Sequence, residues 1–491
     1  MVGREIRFYN KATETFTYES GKEKGMKRRI VALLLSSALA VSLLGGCGGS
    51  SGGSDEASSQ PAAQESSQEE ASEPEESKEE EAASAAATGE ATQLTFWTYV
   101  EQHTEFLQDA VTVWNENHPD EPIELQTETY PTEDMHSKLL ITLQSGDGAP
   151  DIVDVNVARF SDFMQGDTEV FVPLNDIIEP EKQNFLEPVL DIYKYNGNYY
   201  GIEYHVGAPI MFYNTEILDQ AGVKVEDIVT WDDLHEAGKK VLEATGKPII
   251  TFEVNDSWSY YIMAGEKKGD YFDESGNCII DSKENAEVLD FMLSMIEDGT
   301  AVTTPGGGFH TEEYYGYMSQ GGAASMLECL WYMGRFTDYM PELAGKIQVA
   351  APPVWDESSV YPVFGGTATS ITTQCENPDL ASRFLAEAKI SAEGAEKIWN
   401  VLGFDPLRWD IWDTDVMKAQ NKYTDYFGSD IFEVVLGMKD KFHPSNITAS
   451  PQFSLANSLI ATDILFRVLN EKSATPEEAL GNAAAEIKSA Q

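Results

Sequence analysis

Cysteine is scarce. The 491 residues hold four, at Cys47, Cys278, Cys329 and Cys375. The last three are far apart and odd in number, so no disulfide framework is expected. No Cys-x-x-Cys spacing exists to seat zinc. Basic charge is short as well: 33 Lys and Arg stand against 83 Asp and Glu. Residues 1–47 carry +4 and Gly48–Gln93 carries −11, so −43 of the total −50 lies on Leu94–Gln491. That sign argues against nucleic acid, whose phosphates need a basic surface, and against docking of this body on anionic lipid. A neutral solute is compatible with it. Reaction signatures are missing too. Leu94–Gln491 has no Gly-x-Ser-x-Gly elbow, no phosphate loop and no His-Glu-x-x-His pair. No catalytic residue, cofactor or metal is expected.

Long apolar runs are limited to one. Ile30–Leu44 is 15 residues long, broken by Ser36, Ser37 and Ser42, and follows Lys27, Arg28 and Arg29. A membrane span needs roughly 20 residues, so this run fits the apolar region of a secretory signal. Gly45 and Gly46 then precede Cys47. Leu44-Gly45-Gly46-Cys47 resembles the bacterial lipoprotein processing box, in which Cys becomes a lipidated N-terminus. The alternative is an ordinary signal peptide with an incidental Cys. Residues 26–46 are therefore expected to be a lipoprotein signal, starting at Met26. Residues 1–25 are then an upstream extension. Gly48–Gln93 holds 12 acidic residues, one Lys and almost no large apolar side chain. Such a stretch cannot offset its ordering entropy, so residues 47–93 read as lipidated Cys plus a disordered acidic tether.

The remaining body alternates strand-like and helix-like stretches. "LTFWTYV", "PIELQTETY" and "APDIVDV" read as strands. His103–Asn117 and Thr132–Gln144 carry helix-period apolar residues. This alternation predicts an α/β sheet of parallel units. Asn196-Gly197 signals a hairpin, after which the alternation restarts. Thr230 is placed to cap a helix from Trp231, and another helix is predicted over Ser282–Asp298. "YPVFGGTATSIT" reads as a strand with a Gly-Gly break. Helices dominate the rest, and a body of this length favours two lobes.

Two acidic clusters tempt as metal sites. "PGGGFHTEEYY" places His310 near Glu312 and Glu313, but a loop followed by a helix start explains it better. "DESGN" (Asp273–Asn277) lacks calcium-loop spacing and reads as a turn. More informative is the number of aromatics beside polar residues, as in Trp97-Thr98-Tyr99, Tyr204-His205 and Trp331-Tyr332. A sugar ring has apolar faces and a hydroxyl rim, so its site needs aromatic platforms and polar partners. Any single aromatic is still more often core.

"MSQGGAASMLECLWYMGRF" resembles the signature of family 1 extracellular solute-binding proteins, the maltose-binding-like receptors of ABC importers. "FWTYVEQH", "APDIVDV", "HVGAPIMFYN", "TWDDLHEAGKKV" and "GFDPLRWDIW" fall in the order such receptors show. "YPTEDMHSKL", "PGGGFHTEEYYGYMSQGGAAS" and "VLGFDPLRWD" are most similar to the arabinose and arabino-oligosaccharide-binding lipoproteins of Gram-positive bacteria.

The resemblance implies a two-lobed α/β fold of the periplasmic-binding-protein type, with hinge strands, C-terminal helices and a sugar in the cleft. It implies residues 94–205 and 363–412 in one lobe, and 206–362 and 413–491 in the other. Trp331 matches the stacking Trp, and Trp97 follows the first strand. Asp154 and Asn156 end a strand, where open α/β sheets bind ligands. Tyr204 and His205 fall at the first hinge, Gly365 and Gly366 at the second. Asp405 and Arg408 are placed either on sugar hydroxyls or as an internal pair, and Trp258 is a further candidate from its loop. The implied protein is a monomeric receptor on the outer face of the cytoplasmic membrane, held by Cys47. It passes sugar to permease subunits without chemistry. A secreted glycoside hydrolase, or a sensor or adhesin on the same fold, are the alternatives.

Overall fold

The computed structural model describes residues 90–164 and 169–490. The upstream extension, the signal segment, Cys47 and the tether up to residue 89 lie outside the described residues. The first sheet has the strand order Ile123–Thr129, Thr92–Thr98, Ile152–Asn156, Thr367–Ile371, Ile202–Glu203. Its first three strands are parallel, with Thr92 opposite Ile123 and Thr98 opposite Thr129. The helix Glu101–Asn117 buries Phe106, Leu107, Ala110, Val111 and Trp114, a one-sided stripe at helical spacing.

The second sheet has the order Ile347–Ala350, Pro209–Asn214, Ser325–Cys329, Ile250–Phe252, Ala301–Thr303. Here the last three strands are parallel, and Pro209–Asn214 runs against both neighbours.

Both sheets are thus mixed, where the alternating pattern predicts parallel units alone. The chain crosses between the sheets at the carboxyl ends of their parallel strands. Pro209 enters opposite Cys329, and Thr367 enters opposite Asn156. A strand entering at that end can only run the other way.

Local signals behave as the residues dictate. Thr230 and Asp233 form a reciprocal capping box on the helix Trp231–Thr245. Ser282 caps Lys283–Asp298. Asn196 and Gly197 take φ of 51° and 86° between the paired strands Lys194–Tyr195 and Asn198–Tyr199. Asn377–Asn400 resolves into Pro378–Leu385 and Ala392–Lys397, with a wider helical turn at Ala386–Ile390 between them. The chain closes on Phe453–Leu459 and Pro476–Ala490. Among the described residues, no helix is long and apolar enough to cross a membrane. Cys278, Cys329 and Cys375 are all buried and free.

Candidate functional site

A cavity of about 240 Å³ opens where the strand ends of both sheets meet. From the first sheet come Tyr99, Val100 and Asn156; from the second come Cys329 and Trp331. Trp258 opens the helix that follows Ile250–Phe252, and Arg335 follows Trp331 on the next helix. No Asp or Glu lines this cavity. Two further compartments adjoin it. One shares Val100, Trp331, Arg335 and Phe404 with it, and the other shares Asn156 and Trp258.

Of the residues singled out in the sequence, Asn156, His205, Trp258, Trp331, Gly365 and Gly366 line the cavity. Trp258 and Trp331 are half-buried, which leaves ring surface open. The imidazole of His310 lies nearly parallel to Trp331, with centroids 5.5 Å apart and planes 10° apart.

The other five candidates lie elsewhere. Trp97 is buried, meeting Tyr130 edge-on, with the Lys138 ammonium 3.9 Å from its ring centre. Asp154 is buried at a hub: Thr98 Oγ1 donates to it at 2.7 Å and Thr369 Oγ1 at 2.8 Å, while His103 Nδ1 lies 2.8 Å away. Both its oxygens are engaged within the protein, so it does not project into the cavity. Tyr204 is buried between His103, stacked at 3.8 Å, and the Lys389 ammonium at 3.2 Å. Arg408 binds Asp410 and Glu181 and donates to the Ile390 carbonyl. Asp405 accepts from the Ala208 N–H at 2.9 Å and is fully buried. The Asp405–Arg408 pair read as one option does not form: each has other partners.

Three segments cross side by side behind the cavity. Val206 N–H donates to the Asp405 carbonyl at 2.9 Å, and Gly365 N–H donates to the Val206 carbonyl at 3.1 Å. The Glu203 carboxylate accepts from the N–H groups of Gly366 and Thr367 at 2.8 and 2.9 Å and from the Tyr193 hydroxyl. The glycines are needed here for space. Gly365 has φ +62°, and a Cβ on it would overlap the Glu203 carboxylate. A Cβ on Gly366 would lie 2.6 Å from the His205 ring. Burial pushes the His205 imidazole down to about 4, so it faces the cavity neutral at pH 7. The same cause pushes the Asp405 carboxyl up to about 7 and pulls the Lys389 ammonium down to about 7.

Residues 100–390 match the family model described as bacterial extracellular solute-binding protein. The chain belongs to that family. It is 46% identical over 400 residues to the arabinooligosaccharide-binding protein of Bacillus subtilis (strain 168), covering 81% of this chain and 92% of that protein. A second arabinooligosaccharide-binding protein, from Halalkalibacterium halodurans, is 47% identical over 395 residues, covering 80% and 88%. The sugar-binding protein MalE of Xanthomonas citri shares the fold with a TM-score of 0.68, at 16% identity and covering 81% and 97%. The chain is therefore an extracellular receptor of the maltose-binding-like fold, and not an enzyme.

In this solute-binding protein the cavity also takes residues that were not among the proposed site residues. Tyr99, His103, His310, Arg335, Phe364 and Phe404 all line it. His310 was visible only as part of an acidic loop. Thr311 caps the helix Glu312–Ser319 there, as a loop followed by a helix start requires. Asp273 likewise closes a turn, accepting from the N–H groups of Ser275 and Asn277. Tyr99 and Phe404 each lie within two residues of a singled-out position. The signal was there, but the facing direction was not.

Proposed function

We propose that this protein is the lipid-anchored receptor of an ABC importer, which captures arabino-oligosaccharides between two lobes and delivers them to the permease. The names borne by its two relatives, at 46% and 47% identity, support the sugar class. The observation that carries the reading is the cavity itself. Aromatic rings and neutral or cationic polar groups line it, and no carboxylate does. A hydrolase needs two carboxyls about 5–9 Å apart across the scissile bond. A receptor for a neutral sugar needs rings and hydrogen-bonding groups. Trp331 and Trp258 serve as platforms, with Asn156 and His205 as hydrogen-bonding partners. Gly365 and Gly366 lie where the crossing segments bend, so ligand touching both lobes favours the closed state.

Two acyl chains at Cys47 make a stable anchor, and 46 residues of chain separate it from Leu94. The body works as a monomer at the end of this tether. The test is titration calorimetry of the full-length Cys47→Ala chain against arabinose, arabinotriose, maltose and xylotriose, with chromatography of the sugar afterwards. Tight binding of arabinotriose and its recovery intact are expected. No binding across the panel, or cleavage of the sugar, would overturn the reading.

A further inference from the structure

Arg335 lies on the helix Met333–Tyr339, one turn beyond Trp331. It is half-buried and lines both the central cavity and the compartment leading toward Lys422 and Tyr423. The other arginines among the described residues all hold carboxylates: Arg159 with Glu133 and Asp162, Arg383 with Glu121, Arg408 with Glu181 and Asp410, Arg467 with Asp463. The Arg335 guanidinium has no hydrogen bond or ion pair among the described residues. The acid one turn on, Asp338, is turned to Lys422 at 3.5 Å instead. In a body with a net charge of −43, a neutralising neighbour is easy to supply. An arginine left open at this one place, beside the aromatic platform, has its partner in the ligand.

We infer that Arg335 is a specificity-determining residue of the binding site, whose planar fork of N–H donors takes two neighbouring hydroxyl oxygens of the sugar unit lying on Trp331. The inference rests on the sugar-receptor reading above. Guanidinium geometry suits two oxygens at once, where an ammonium is a single point charge. The net charge of the body repels an anionic ligand at long range, so the partner is a neutral hydroxyl pair. The His310 imidazole completes this corner. It is open to the cleft but hemmed by protein, and desolvation, then the Arg335 charge, lower its pKa from the usual value. It therefore adds no second cation near Trp331 at neutral pH.

Calorimetry with arabinotriose tests this in the full-length Cys47→Ala chain carrying Arg335→Met, Arg335→Lys, Trp331→Ala, or Arg335→Met with Trp331→Ala. Arg335→Met is expected to weaken binding at least about tenfold, since hydrogen bonds from a charged group are lost. Arg335→Lys recovers only part of that. The double variant loses less than the two single losses combined, because both residues hold the same sugar unit. Unliganded Tm should stay within about 2 °C, as for substitution of an unpaired side chain. Affinity of the parent should hold between about 0.02 and 0.5 M salt. Parental affinity in Arg335→Met would overturn the inference alone. So would tighter binding of trigalacturonate than of arabinotriose, lost steeply with salt, which would assign the guanidinium to a carboxylate-bearing ligand. A parent that binds no sugar overturns the inference and the receptor reading together.

Discussion

The two sheets bring their strand ends to one cavity with different chemistry. On the first side, most polar groups are consumed internally, Asn156 apart. Asp154 holds Thr98, His103 and Thr369, and Tyr204 is enclosed between His103 and Lys389. On the second side, Trp258, Trp331 and Arg335 are half-buried and line open space. A buried polar group must find partners wherever it is. The first side finds them within the protein and becomes a rigid wall. The second leaves ring faces and a cation open for a ligand. Residue type therefore says little about placement here: Trp97 is buried, while Trp331 lines the cavity.

Exchange of those two tryptophans gives the largest expected effect. Trp97→Ala should cost about 3–5 kcal/mol of stability as a core truncation, with affinity of the folded fraction intact. Trp331→Ala should do the reverse: about 2 kcal/mol of binding lost, and an unliganded Tm that barely moves. Thermal melts and calorimetry on both variants check the contrast. A large melting shift with unaltered affinity for Trp331→Ala would break it.

Asp154→Ala comes next. It removes the acceptor for the Thr98 and Thr369 hydroxyls and strands the His103 ring. About 1–3 kcal/mol of stability should be lost. Denaturant titration measures this, and the wall reading fails if only affinity falls.

The pH dependence is more gradual, at most about 1.4 kcal/mol per pH unit for each group. Asp405 has a folded pKa near 7, above its unfolded value near 3.8. The folded state thus holds the extra proton, and the stability this confers is full below about pH 4 and is lost as pH rises through 7. Lys389 is the mirror case. Its folded value near 7 lies below the usual 10.5, so the unfolded chain holds the extra proton and stability rises from about pH 7 to 10. Asp405→Asn should flatten the acid-side decline, and Lys389→Met the alkaline-side rise, in denaturant titrations from pH 4 to 10.

The smallest effect belongs to the tether. Deleting Gly48–Gln93 should leave arabinotriose affinity unchanged. Cys47→Ala should release ligand-competent protein from membranes, as fractionation would show.

Much of this was legible in the residues. The helix cap at Thr230, the Asn196-Gly197 turn and the stripe Phe106–Ala110–Trp114 all act between near neighbours. The strand ends that meet at the cavity were also readable, because "DIVDVN" and "SMLECLW" mark where buried strands stop. Less legible was the antiparallel return of Thr367–Ile371 onto Ile152–Asn156, which pairs residues remote in the chain.

The sequence by itself determined most of the elements and their order, since propensity, capping and periodicity are local interactions. Its resemblance to sugar receptors singled out Trp331, Asn156, His205, Trp258 and the two glycines, which line the cavity. Only the tertiary structure decided which neighbouring polar group faces inward. Asp154 and Asn156 are two residues apart, yet Asp154 is held by Thr369 of the returning strand while Asn156 lines the cavity. Arg408 and Arg335 are both arginines in the matched pattern, yet Glu181 and Asp410 neutralise the first and nothing among the described residues neutralises the second. The reason is that hydrogen-bond and charge satisfaction depend on what long-range contacts bring within about 3–4 Å.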